Sequence, residues 1–110
     1  LQVRGTVLAG MTNMFAVASG STWEISSWFN TMAWANSTLS NASDLGLALP
    51  LSLTDPQLLP EGASPLMSGA DFSATALANS FFEPVSYRGA FGSTDWTSGW
   101  ANWDPQNTAY

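Results

Sequence analysis

Apolar and polar positions alternate at the start of the chain. Leu1, Val3 and Val7 are separated by Gln2, Arg4 and Thr6, with Gly5 interrupting, and the pattern predicts a short half-buried strand. A second short apolar run covers residues 14–17 and is closed by Ser19-Gly20. Residues 7–18 are apolar enough to suggest the core of a secretion signal, but Thr12 and Asn13 break them, so a strand segment is the expected role. Residues 1–20 are therefore assigned to short strands.

The period then changes. Ser21-Thr22-Trp23-Glu24 fits a capping box, with Ser21 as N-cap and Glu24 at N3. Ile25, Trp28, Phe29, Met32 and Ala33 recur at helical spacing and form one apolar stripe. A helix is predicted over residues 22–34, within an amphipathic segment 21–35, with its stripe packed on a body.

Residues 36–80 read as an extended wrapping segment. Their first part, 36–46, is rich in turn residues. Pro50, Pro56, Pro60 and Pro65 punctuate the rest, and proline bars helix interiors, so the intervening leucines are expected to tuck against a surface. In the C-terminal segment 81–110, residues 81–92 resemble a strand followed by a glycine turn. Trp96, Trp100 and Trp103 follow at i, i+4 and i+7, a spacing that one helical face would gather. Gly99 leaves a short irregular turn as the other outcome. The chain as a whole reads as mainly β, with irregular extended segments and one or two short helices.

Composition narrows what such a chain can do. Of 110 residues only 9% are charged, eight acids against the two arginines Arg4 and Arg88, for a net charge of −6. Soluble domains usually carry about 25% charged residues. Six tryptophans are more than one small core readily encloses, so the segment is expected to lean on another body. Two cations cannot neutralise a phosphate backbone, which excludes nucleic acid as a partner. No apolar run is long enough to span a bilayer. A chain opening at Leu1 is expected to be a processed product or a fragment of a longer one. Few charges with abundant Ser, Thr, Asn and Trp fit a secreted or cell-surface protein.

Histidine, lysine and cysteine are all absent. Nucleophilic triads lose their base, and zinc, copper and haem lose their usual ligands. Carboxylate chemistry of the glycosidase kind remains, and Glu24, Glu61, Glu83 and Asp95 are candidates for it only because they are present. The aspartates are scattered singly, without a calcium loop. No catalytic residue, metal site or cofactor is therefore assigned. Asn36-Ser37-Thr38 and Asn41-Ala42-Ser43 match the N-glycosylation pattern, as chance allows in an Asn/Ser-rich chain. Arg88 is expected to pair with a carboxylate or cap backbone carbonyls. Trp96, Trp100 and Trp103, with Tyr87 and Phe91 nearby, read first as packing or docking anchors and second as a sugar-stacking platform.

Several motifs carry a resemblance. Ala63-Ser64-Pro65-Leu66-Met67-Ser68-Gly69-Ala70, preceded by Asp55-Pro56 and Leu59-Pro60, is similar to a signature near the end of right-handed parallel β-helix surface proteins. Tyr87-Arg88-Gly89-Ala90-Phe91-Gly92, then Trp96, Gly99-Trp100 and Asp104-Pro105-Gln106-Asn107, resemble the tail that follows it in bacterial secreted or outer-membrane-anchored proteins of Bacteroidetes-like lineages. The resemblance implies the end or cap region of a right-handed parallel β-helix, with residues 1–20 as its last rungs. It brings no catalytic residues with it.

The expected role is thus a non-enzymatic, extracellular structural segment of a Gram-negative envelope. It would cap a β-helix or dock into a surface assembly of its own copies or of a larger scaffold. Trp23, Trp28, Phe29, Trp34, Tyr87, Arg88, Phe91, Trp96, Trp100 and Trp103 would be the anchors. The alternatives are a carbohydrate-binding module using the Trp platforms, with a glycan as partner, and an accessory subunit of a large cell-envelope complex.

Overall fold

Two short strand pairs and a set of tight turns make up the architecture. The computed structural model describes residues 1–109, and Tyr110, the end of the C-terminal segment, lies outside them. Strand β1 (Val7–Ala9) pairs parallel with β2 (Ser37–Leu39), in the register Val7 to Ser37 and Ala9 to Leu39. Parallel strands cannot be joined by a tight turn and need a crossover. Here the crossover carries helix α1 (Ile25–Phe29) and a 3₁₀ turn (Met32–Trp34). Strand β3 (Leu47–Leu49) pairs antiparallel with β4 (Gln57–Pro60), with an irregularity between Leu47 and Leu49. Neither sheet is closed, and no coil stack of a parallel β-helix is present among the described residues.

The first pair depends on one side chain. Asn36 stands just before β2, and its Oδ1 accepts from the Thr6 N–H at 2.9 Å. Its Nδ2 donates to the carbonyls of Val3 at 2.7 Å and Phe29 at 2.8 Å. One carboxamide therefore ties the N-terminal segment, the end of α1 and the start of β2. Backbone bonds extend the seam: Gly5 N–H to Trp34 O at 2.8 Å, Ser37 N–H to Thr6 O at 2.9 Å and Gly10 N–H to Leu39 O at 3.2 Å.

Several sequence expectations change here. The alternation over residues 1–7 does not become a strand, because Gly5 takes φ +60 and turns the chain. Only Val7–Ala9 is extended and paired. Residues 14–17 form no strand; Phe15 instead packs on Phe29 with ring centroids 5.3 Å apart. The helix is five residues long, not thirteen. Glu24 itself is the N-cap, and the Ser21 hydroxyl accepts from Trp23 N–H at 3.2 Å, so the Ser21–Glu24 capping box does not form. Side chains end the helix by taking its carbonyls. Asn30 Nδ2 donates to Ser26 O, Thr31 Oγ1 to Trp28 O, and Asn36 Nδ2 to Phe29 O. Breaking the helix splits its stripe, leaving Phe29 4% exposed and Met32 95% exposed.

Residues 36–80 are not one extended wrap. They hold β2, a 3₁₀ turn at Ala42–Leu45, the β3–β4 hairpin, and 3₁₀ turns at Pro65–Met67 and Thr75–Leu77. Asn41 N–H donates to the Asp44 carboxylate at 3.1 Å, capping the first of these turns. Ser64, nearly buried, donates its hydroxyl to Leu45 O and accepts from Leu66 N–H, which fixes the Pro65 turn to the hairpin. Residues 81–92 do not form the expected strand. Their backbone makes isolated bonds instead, Arg88 N–H to Leu66 O at 2.7 Å and Ala70 N–H to Ser86 O at 3.1 Å. Nor do residues 94–104 form a helix. Gly99 takes φ +86, so the irregular turn is the outcome.

The packing is open. The radius of gyration is 16.9 Å, against about 13 Å for a compact chain of this length. Phe29 is the only large hydrophobic residue buried among those described.

Two substitutions test this account. Asn36→Ala leaves one N–H and two carbonyls without partners and is expected to cost about 2–3 kcal/mol, read as a lower urea midpoint. Gly69 has φ +89, and a Cβ there would stand 2.2 Å from Arg88 Nη2. Gly69→Ala is therefore expected to destabilise by more than about 1 kcal/mol in the same assay.

Candidate docking surface

Two aromatic groups lie at the ends of the sequence. In the first, α1 sends Phe29 into the interior and leaves Trp28 between two other indoles. Trp23 and Trp28 have centroids 5.3 Å apart at 57°, and Trp28 meets Trp34 edge-on at 5.2 Å. Trp28 and Trp34 are half-buried, whereas Trp23 is exposed.

In the second group, Phe91, Trp96 and Trp100 form a stacked column. Centroids are 5.4 Å apart at 13° for the first pair and 5.8 Å at 27° for the second. Both indole N–H groups are fixed by backbone carbonyls, Trp96 Nε1 to Ala90 O at 3.0 Å and Trp100 Nε1 to Trp96 O at 2.6 Å. Trp103 does not join this column, so the three-tryptophan face expected from the i, i+4, i+7 spacing becomes two tryptophans and a phenylalanine. The Tyr87 ring lies on Gly92, where a Cβ would stand 2.6 Å from the ring.

Arg88 is a structural post. Its Nη2 donates to Ala35 O at 3.0 Å and its Nη1 to Ser37 Oγ at 3.2 Å, so it caps a carbonyl and grips the start of β2. Its Nε is buried without a hydrogen-bond partner among the described residues, where the guanidinium crosses Gly69. Arg4 donates to the Asp71 carboxylate at 2.9 Å and to the Ser73 hydroxyl at 3.0 Å. Both arginines are therefore engaged within the chain.

The leucines of the hairpin do not all tuck in: Leu47 and Leu58 are half-buried, and the others face outward. Leu51 is 83% and Leu53 88% exposed, with Leu49 also outward. The period-two recurrence of Leu47, Leu49, Leu51 and Leu53 was a readable signal of one apolar edge, although it could not say whether anything covers that edge. Leu49, Leu51 and Leu53, with Trp23, Met32 and Phe81, are among the exposed apolar side chains that stand outside the C-terminal stack.

Of the candidate carboxylates, Asp95 is poorly suited to serve as a general acid. Asp95 accepts from the Thr97 hydroxyl and the Thr97 N–H, which hold its pKa below the usual value. A general acid working near neutral pH needs the opposite shift. Glu61 and Asp95, with Asp55, border one groove beside β4. Glu24 and Glu83 are exposed. Among the described residues no group of three or more acidic side chains is placed to hold a metal ion, and no helix is long and apolar enough to cross a membrane.

No family model matches this chain, and neither a curated protein nor a solved structure matches it.

Asp71 generates a pH prediction. Its pKa is lowered from 3.8 to about 2 by the Ser73 hydroxyl and N–H, and then by Arg4. The folded chain thus binds fewer protons than the unfolded one in this range. Its contribution to stability is complete above about pH 4 and is lost as the pH falls towards 2. Thermal unfolding between pH 5 and 2 should therefore show a stability loss that Asp71→Asn reduces.

Proposed function

We propose that this chain is a non-catalytic structural segment of an extracellular or cell-surface assembly in a Gram-negative envelope. It docks through apolar contacts on a larger protein scaffold or on other copies of itself. Capping the open end of a parallel β-helix is the form of docking that the tail resemblance suggests. A solenoid end leaves backbone edges and apolar interior unpaired and needs such a cover.

One observation carries the reading. The chain exposes 7951 Å², whereas a compact protein of its mass exposes about 5,900 Å². The difference exceeds the ~800 Å² that each partner buries in an ordinary interface. Much of the uncovered area is hydrophobic, on the hairpin leucines, Trp23, Met32 and Phe81. An isolated soluble protein seldom keeps so much apolar surface wet. The lack of His, Lys and Cys, and the lowered pKa of Asp95, support a non-catalytic role.

The partner's chemistry follows from the charges. The chain is acidic, and its two cations are already bonded internally. A nucleic acid or anionic membrane surface finds nothing here to neutralise it. A second copy, or a scaffold with an apolar patch and a neutral or basic rim, is compatible.

The test is the mass of the native particle, measured by size exclusion with light scattering on protein isolated from its source envelope. The expected particle is several-fold heavier than the 11.7 kDa of one chain. Carrying Leu51→Asp with Leu53→Asp, the chain should elute alone while its far-ultraviolet circular dichroism is unchanged. A native particle of one chain's mass that melts cooperatively overturns the proposal.

A further inference from the structure

An open groove of about 560 Å³ lies along the C-terminal turn, and its chemistry differs from that of the hairpin leucines. Trp100 and Trp103 supply its aromatic walls, and Thr54, Asn102, Asp104 and Thr108 its polar ones. Its volume falls within the range of small-molecule sites, about 300–1,000 Å³.

Three features define what would fit. First, the Trp100 indole is held in place before any ligand arrives. It stacks on Trp96, its N–H is committed to Trp96 O, and it is still 69% exposed. A flat, fixed and uncovered π-face suits a ligand with a flat C–H face, and its rigidity reduces the ordering cost of binding. Second, the polar groups offer both donors and acceptors. Trp103 Nε1, Asn102 Nδ2 and the Thr54 hydroxyl make no hydrogen bond to the other described residues. The Thr108 hydroxyl, which donates to Asp104 O at 2.7 Å, keeps acceptor capacity. Third, the groove holds no cation, and both arginines are engaged elsewhere. That excludes phosphate and carboxylate ligands.

A cationic ligand fits less well. The Asp104 carboxylate already accepts from Asn107 Nδ2 through both oxygens, at 2.8 and 3.0 Å. The groove is also open along its length, whereas quaternary ammonium groups are held by enclosing aromatic cages. A ligand with apolar C–H faces, many hydroxyls and no charge is a neutral saccharide.

We infer that the groove formed by Thr54, Trp100, Asn102, Trp103, Asp104 and Thr108 binds a neutral polysaccharide, with Trp100 stacking on a sugar face and the polar rim bonding its hydroxyls. This goes beyond the docking role, which uses the hairpin leucines and Trp23, and does not depend on it. A surface assembly would hold glycan by this edge.

Affinity electrophoresis of the whole protein tests the inference, in native gels cast with hydroxyethylcellulose, xyloglucan, galactomannan or laminarin. Wild-type protein should be retarded in at least one gel relative to a gel without polysaccharide. Trp100→Ala and Trp103→Ala, at exposed positions, should each weaken binding by about tenfold, while Trp23→Ala should bind like wild type. No retardation in any gel overturns the inference, as does equal retardation of wild type and Trp100→Ala. So does a calorimetric response to choline chloride without a response to these polysaccharides. The mass of the native particle has no bearing on these outcomes, so the docking and glycan readings can fail separately.

Discussion

Everything in the N-terminal half depends on the bonds made by the Asn36 carboxamide. Strands of three residues make too few ladder bonds to hold themselves, and among the described residues Phe29 is the one large hydrophobic side chain buried beside them. Asn36 supplies in three bonds what a longer ladder would supply. It brings residues 3–6, the end of α1 and the start of β2 to one point. A side chain with one acceptor and two donors on a single rigid plane can do this; a hydroxyl has too few donors and a carboxylate none. The same engagement shows why an Asn-x-Thr/Ser triplet says little by itself: the Asn36 amide is already used by the fold.

Arg88 performs the corresponding task between the two halves. Its backbone N–H bonds the Pro65 turn at Leu66, and its guanidinium reaches Ala35 O and Ser37. The path is open because Gly69 has no Cβ to obstruct it. A chain with two cations spends both on internal connections, Arg4 at Asp71 and Arg88 at β2. The exterior is left with carboxylates, amides, hydroxyls and uncovered hydrocarbon. That division links the fold to the proposed roles: the apolar edge suits a protein cover, and the cation-free groove of indole, amide and hydroxyl groups has the chemistry of a saccharide site.

The two aromatic groups illustrate how position decides use. Trp28 is enclosed by Trp23 and Trp34 because α1 and the following 3₁₀ turn fold back on each other. Trp96 and Trp100 are also stacked, yet they stay exposed because no element crosses their outer side. Aromatic stacking gives rigidity in both places. In the first it leaves Trp23 exposed, and in the second it leaves the face of Trp100 exposed.

Local signals in the sequence were legible where the controlling interaction is local. The absence of His, Lys and Cys bounded the chemistry. Gly99 marked the irregular C-terminal turn, and the short spacing of Trp96 and Trp100 announced their contact. Helix length was misread because the groups that stop α1, Asn30, Thr31 and Asn36, act on carbonyls of the preceding turns, while the apolar stripe runs on past them. Strand pairing, the Asn36 junction, the path of Arg88 over Gly69 and the separation of Trp103 from the aromatic column were decided by tertiary structure alone. Each joins groups far apart in sequence or rests on a backbone turn that hydrophobic periodicity does not encode. A period reports which side of a segment is apolar, but whether that side is covered depends on the rest of the chain.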